Sequence, residues 1–205
     1  MTDWDVRYAE PEYAYGTEPN GFLAAAACQI PDGPVLCLAE GQGRNAVFLA
    51  GRGHRVTAVD QSRVGMARAG ELAAARGVTV ECVVADLATF DIGADRWAGI
   101  VTIFMHLPVE LRSDIYRRVV TGLRPGGVFV MEAYVPRQLE FGTGGPRDLE
   151  RLASRAELQR HLAGLEFLLA QDAEREVVEG RHHHGMAAVV QLLGRKPDGP
   201  AGVVR

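Results

Sequence analysis

Val35-Leu36-Cys37-Leu38-Ala39-Glu40-Gly41-Gln42-Gly43-Arg44-Asn45 is the stretch on which the reading of this chain turns. Val35 to Ala39 is an apolar run short enough for a buried strand. It closes on a glycine-rich turn, and Asn45 to Ala50 then continues with helical character until Gly51 and Gly53 stop it. In an open α/β sheet such a loop lies at the carboxyl end of its strand, where ligands bind, and the glycines at 41 and 43 let a ligand approach the backbone. Gly41, Gly43 and Ala46 also meet the spacing of a dinucleotide fingerprint. Taken alone, the loop leaves open which nucleotide-like ligand it serves, or whether it is a structural turn.

The alternation continues downstream. Arg55 to Val59 reads as a second strand ended by Asp60, and Ser62 is placed to cap an Ala-rich helix that runs to Arg76 and closes at Gly77. Val78 to Val84 reads as the third strand and Ala98 to Phe104 as the fourth. Pro108 opens a helix through Gly122, and LRPGG breaks the chain before a fifth strand, Val128 to Tyr134. This order predicts a doubly wound, mostly parallel α/β sheet. Beyond it, FGTGGP reads as a flexible loop and Ser154 to Leu162 as a helix. Leu165 to Val178 and Met186 to Gly194 are β-like and, with only a loop between them, must pair antiparallel. Residues 1–23 form a lead or lid containing Trp4, Tyr8, Tyr13, Tyr15 and Phe22, residues 34–196 the core, and residues 197–205 a frayed tail, all within one domain.

Composition narrows the function. A chain of 205 residues fits one domain, in which about 70% of the extended surface is buried. The formal net charge is -4 and the 22 Lys and Arg are scattered, so no basic stripe suits a phosphate backbone and nucleic acid is not an expected partner. Cys28, Cys37 and Cys82 form neither a disulfide framework nor a metal-ligand spacing. The first residues lack the basic start and apolar run of a signal peptide, and no stretch approaches the roughly 20 apolar residues of a membrane span. A cytoplasmic protein acting on a small molecule, with no membrane partner, is expected.

Two acids strengthen the reading of the loop. Asp60 closes the second strand 17 positions after Gly43, where a carboxylate can accept from a ribose diol; it could equally be an acid favoured by a helix N-terminus. Asp86 in VVADL closes the third strand toward the same rim. It could accept from an adenine amino group while Leu87 packs on the ring, although alone it reads as readily as a turn acid.

With these motifs in order, the chain resembles the class I S-adenosylmethionine-dependent methyltransferases over roughly Pro34 to Lys196. VLCLAEGQGRN is similar to that family's first motif, VTAVDQS to its second, VVADL to its third, and LRPGGVFVMEAY to its Pro-Gly-Gly turn and following strand. The resemblance implies a seven-stranded Rossmann-like sheet with the last strand antiparallel, and S-adenosylmethionine as cofactor. It implies that Gly41 and Gly43 approach the cofactor, that Asp60 binds its ribose, and that Asp86 with Leu87 holds its adenine, with Asn45 and Gln61 completing that side of the site. The lead WDVRYAEPEYAYGTEPNGFL resembles the small bacterial branch related to tellurite-resistance and thiopurine methyltransferases, whose acceptors are soft nucleophiles.

Cys37 replaces the family's acid in the first strand, Ala39 its first loop glycine, and Glu40 stands where a small residue is usual. Glu40, the nearest carboxylate, is the candidate to balance the cofactor's ammonium, unless it only caps the following helix. His106, after the fourth strand, occupies the position from which this fold aims residues at the methyl group. It is the candidate catalytic base, or else a cap of the next helix. Tyr13, Tyr15, His182 and His184 are expected to bind the acceptor, the two histidines sharing one face of an extended segment. No third ligand at a recognisable spacing joins them, so no metal is expected. A nicotinamide-dependent oxidoreductase, or a non-catalytic S-adenosylmethionine-binding module, would share the glycine loop. The Pro-Gly-Gly turn, the terminal antiparallel pair and the lack of a Tyr-x-x-x-Lys pair stand against the oxidoreductase.

Overall fold

A computed structural model describes residues 4–198. Residues 199–205 of the expected tail lie outside the described residues, as do the first three of the lead. Helices α1 (Trp4–Tyr8) and α2 (Gly21–Ala26) form the lead, α2 being capped by Asn20, whose side chain accepts from the Leu23 amide. The core then runs β1 (Pro34–Leu38), α3 (Arg44–Gly51), β2 (Arg55–Asp60), α4 (Arg63–Ala75), β3 (Val80–Val84), β4 (Trp97–Ile103), α5 (Val109–Gly122) and β5 (Leu123–Tyr134). Two short helices, α6 (Gln138–Phe141) and α7 (Arg155–His161), precede the long hairpin β6 (Glu166–Glu179) and β7 (His183–Arg195).

The seven strands form one sheet in the order β3-β2-β1-β4-β5-β7-β6. Pairings from β3 to β5 are parallel, and β7 alone runs against both its neighbours, β5 and β6. The sheet is buried on both faces, so the residues of β1 and β4 are apolar throughout except for Thr102. Alternation sorts them: Leu36, Leu38 and Ile100 meet Ile115, Tyr116 and Val119 of α5, whereas Val35, Cys37 and Val101 meet Leu49 of α3 and Met66 and Ala69 of α4.

Ser62 caps α4 by accepting from the Gly65 amide, and Pro108 precedes α5, both as the sequence predicts. Three local differences have physical causes. The third strand begins at Val80 rather than Val78, because the Val78 amide still donates to the Ala73 carbonyl in the last turn of α4. LRPGG interrupts the ladder rather than the strand: β5 already begins at Leu123, opposite Trp97, and Arg124 to Gly127 bulge out before pairing resumes at Val128 opposite Gly99. The segment read as a flexible loop starts inside α6, which the buried Gln138 fastens by accepting from the Ala188 amide and donating to Thr143. Among the described residues, no helix is long and apolar enough to cross a membrane.

Two non-glycine residues at carboxyl ends of strands hold left-handed backbone, Ala39 (φ 52°) after β1 and Phe104 (φ 53°) after β4. Such conformations cost roughly 1–3 kcal/mol each and persist where surrounding contacts dictate them. Here they mark one rim of the sheet.

Candidate active site

On that rim the glycine loop and the end of β2 are joined through Asp60. One carboxylate oxygen accepts from the Gly41 amide at 2.9 Å and the other from the Ser62 amide at 2.8 Å. Burial pushes the Asp60 carboxyl above its usual range, against the pull of those amides. A carboxylate offers about four acceptor sites, so capacity remains for a diol.

Gly41 (φ 62°) and Gly43 (φ 88°) both need the left-handed region, but they face different neighbours. A Cβ on Gly41 would stand 2.6 Å from the Tyr8 hydroxyl; one on Gly43 would stand 2.5 Å from the Ala69 Cβ of α4. Gly43 therefore serves helix packing, while Gly41 presents bare backbone toward the lead.

Glu40 caps α3, accepting from the Asn45 and Ala46 amides at 2.9 and 2.8 Å. Burial raises its carboxyl to about 7 despite those bonds and the charge of Arg44. Asn45 is turned toward the lead. Its side chain accepts from the Asn20 amide, as Gln42 accepts from the Ala14 amide, so the motif's polar residues hold the lead across the loop. Asp5 extends this seating by accepting from the Ser62 hydroxyl.

The expected adenine side is more open. Gln61 and Asp86 are exposed, and the Asp86 carboxylate accepts from the Ala88 amide in a turn. Leu87 is packed into the core, only 9% exposed.

Beside the loop, aromatic rings converge from four elements. Phe104 follows β4, Tyr134 ends β5, His183 begins β7 and Tyr15 comes from the lead. Phe104 and Tyr134 stack at 4.6 Å, and His183 meets Phe104 at 4.5 Å, Tyr134 at 5.3 Å and Tyr15 at 4.5 Å. His106 stacks on Tyr134 at 5.5 Å with its rings 10° from parallel.

The structure separates the expected acceptor residues. Tyr15 belongs to the ring cluster and His182 touches its edge at 5.9 Å. Tyr13 lies elsewhere, donating to the Arg68 carbonyl on α4 under the Arg68 guanidinium. His184 is exposed, and the histidine that points inward is His183, 7% exposed, because the hairpin turn ends at His182 and strand alternation begins at His183.

Burial lowers the His106 imidazole to about 4, with the Arg112 and Arg151 charges adding to the effect, so the ring is neutral near pH 7 and a weak base. Burial likewise lowers His183 to about 2, assisted by Arg44.

Sequence reasoning missed a buried ionic network beneath the rings. Glu132, fully buried, accepts from Arg175 twice at 2.7 Å, from Asn20 at 2.6 Å and from Gln191 at 3.0 Å. Glu179 accepts from Arg44 at 2.5 Å, Asn20 at 2.9 Å and Arg175 at 2.9 Å. The two arginines and two glutamates balance in charge. One Arg44 nitrogen, Nη1, is buried without a partner, as are His106 Nε2 and His183 Nδ1.

A glycine loop after β1, an acid closing β2 and a reversed β7 between β5 and β6 define a doubly wound α/β fold with an aromatic cluster on the same rim. Residues 35–127 match the family described as a methyltransferase domain. A curated relative from Mycobacteroides abscessus, a 2-heptyl-1-hydroxyquinolin-4(1H)-one methyltransferase, is 33% identical over 126 residues, which are 60% of this chain; the chain spans 56% of that relative's length. TehB from Haemophilus influenzae shares the fold at a TM-score of 0.72 and 22% identity, covering 86% of this chain and 62% of that one. An S-adenosylmethionine-dependent methyltransferase from Clostridium acetobutylicum gives 0.63 and 14%, covering 86% and 89%. Over residues 35–127 the chain is thus similar to methyltransferase domains, and it shares the fold of the S-adenosylmethionine-dependent methyltransferases.

The cofactor which that likeness implies is S-adenosylmethionine. The residues suit it: an acid with free acceptor capacity at Asp60, tied to the glycine loop, and a carboxyl at Glu40. The nicotinamide alternative is not favoured.

Proposed function

We propose that the protein transfers the methyl group of S-adenosylmethionine to a small molecule held among Tyr15, Phe104, His106, Tyr134 and His183. The observation that carries this reading is the convergence of these rings, from three strand ends and the lead, directly beside the glycine loop. In this reading Asp60 holds the ribose, Glu40 faces the ammonium, and Asp86, Gln61 and Leu87 border the adenine. Methyl transfer asks mainly for an in-line nucleophile about 3 Å from the sulfonium carbon, and a rigid ring cage supplies that alignment.

Aromatic walls favour flat or polarizable acceptors, so a thiol or another soft nucleophile fits. The Mycobacteroides relative acts on a hydroxyquinolone, which favours a second reading in which the nucleophile is an oxygen borne on a flat ring. The test is release of S-adenosylhomocysteine across a panel of thiols, phenols, N-hydroxy heterocycles and amines. Turnover of none, by protein that binds S-adenosylmethionine in calorimetry, would favour a non-catalytic binding module.

A further inference from the structure

The ring cage and the groups around it restrict the acceptor further, an argument that rests on the methyltransferase reading above. We propose that the acceptor is an aromatic anion, an acidic hydroxyl or thiol borne on a flat ring, which enters already ionised and is held by hydrogen-bond donors.

The cage is a connected cluster of five rings, of which Tyr15, Phe104 and His106 are partly exposed and can stack a planar molecule. Four buried nitrogens without partners accompany it: Arg44 Nη1, His106 Nε2, His183 Nδ1 and, at the edge, His182 Nε2. Arg44 and His183 are more than nine-tenths buried, so polar nitrogens left unsatisfied there are costly. An anionic oxygen or sulfur beside such donors forms charge-assisted bonds.

The charged and titratable groups from each surrounding element offer no strong base. From the lead, Tyr15 is kept protonated by burial and receives a hydrogen bond from Arg7. From β5, burial also keeps Tyr134 protonated. After β4, His106 feels the cations Arg112 and Arg151; at the hairpin, His183 feels Arg44, Arg7, His106 and His182. The nearby carboxylates are engaged: Glu132 by Arg175, Asn20 and Gln191, Glu179 by Arg44, Asn20 and Arg175, and Glu40 by two loop amides. Among the described residues bordering the rings, the imidazoles of His106, His182 and His183 are left to take a proton, and burial weakens each as a base.

The step balances without a base. A lone pair of the acceptor anion forms the new bond to the methyl carbon, and the carbon–sulfur bond breaks with its electrons passing to the sulfonium. Anion and cation become a neutral methyl ether or thioether and neutral S-adenosylhomocysteine, and no proton moves.

The test uses the full chain saturated with S-adenosylhomocysteine and titrated with para-nitrophenol or para-nitrothiophenol, whose anions absorb in the visible. The bound probe should ionise at least about tenfold more readily than the free probe, a fall of about one unit in its pKa. The two arms separate oxygen from sulfur acceptors. Methylation rates for ring-substituted members should follow each acceptor's own ionisation, and His106→Gln should leave those pH midpoints unmoved. Preferential binding of the neutral probe, or one pH midpoint common to all acceptors, overturns the proposal. If S-adenosylhomocysteine does not bind in calorimetry, the parent reading falls and this one with it. If it binds, but aromatic anions neither bind nor react, this proposal alone is overturned.

Discussion

Replacing Glu132 by Gln tests the buried network with little change of shape. One carboxylate oxygen of Glu132 faces Arg175 Nε and Gln191 Nε2, and the other faces Arg175 Nη2 and Asn20 Nδ2. All four partners are donors, so whichever end of the glutamine carries its NH2 group confronts two of them. Two hydrogen bonds to a charged group are lost, each worth about 1.5–3 kcal/mol, and Arg175 keeps a charge with one fewer counterion. Breaking a buried pair in this way costs about 3–5 kcal/mol. At roughly 2–4 °C per kcal/mol for a domain of this size, Tm should fall by roughly 6–20 °C. Urea unfolding of Glu132→Gln, Arg175→Met and the double variant measures the coupling, which should reach at least about 1.5 kcal/mol, since glutamine is less costly once the cation is gone. Additive losses, or a single-variant cost below about 1 kcal/mol, would refute the account of the network as an interdependent unit.

Asp60→Ala should weaken S-adenosylmethionine binding by about 1.5–3 kcal/mol in calorimetry, and an unchanged Kd in a cooperatively melting variant would remove Asp60 from the site. Gly43→Ala should destabilise the fold by about 2–4 kcal/mol in urea, through strain at φ 88° and a Cβ 2.5 Å from that of Ala69; intact stability with lost affinity would instead mean that Gly43 meets the ligand. Glu40, raised from 4.5 to about 7, favours the folded state when protonated, so its contribution is complete below about pH 4.5 and fades as pH rises through about 7. Stability measured across that window should therefore fall with a shallower slope in Glu40→Gln. If Glu40 meets the cofactor's ammonium, binding near pH 6 should release a proton from wild type and none from the variant, read as buffer-dependent heat in calorimetry.

The parts of the fold visible in the sequence are those fixed by local rules. Apolar runs marked β1 to β5, the serine before α4 marked its cap, and the absence of room for a crossover made β6 and β7 antiparallel. The carboxyl ends of β1, β2 and β3 could be placed for the same reason. The acceptor side could not, because its geometry depends on phase and on long-range pairing. One residue of difference in where the hairpin turn ends decides that His183 rather than His182 or His184 faces inward. Glu132 meets Asn20 across 112 residues of sequence, and Arg44 meets Glu179 across 135. No local pattern announces such partners. A glutamate in the otherwise apolar stretch Val128 to Tyr134 was the available signal, since a charge in a strand buried on both faces requires a partner.

The lead ties the two halves of the site together. Gln42 and Asn45, in the glycine loop, hold the backbone at Ala14 and Asn20, and the Asn20 side chain reaches both Glu132 and Glu179. Tyr15, between those two anchors, stands against His183 in the ring cage. At the far end, the Ala14 carbonyl accepts from the Arg181 amide, and the Arg181 side chain pairs with Glu10. The segment that borders Gly41 through Tyr8 is thus the same one that completes the acceptor cage through Tyr15, and it is seated by buried hydrogen bonds to both. Lifting it would strand the Asn20 and Gln42 side chains together with two carboxylates, at a cost of about 1–3 kcal/mol for each polar group left unsatisfied. The loop and the cage therefore order as one unit, and a substitution on either side, at Asn45 or at Glu179, should be felt on the other.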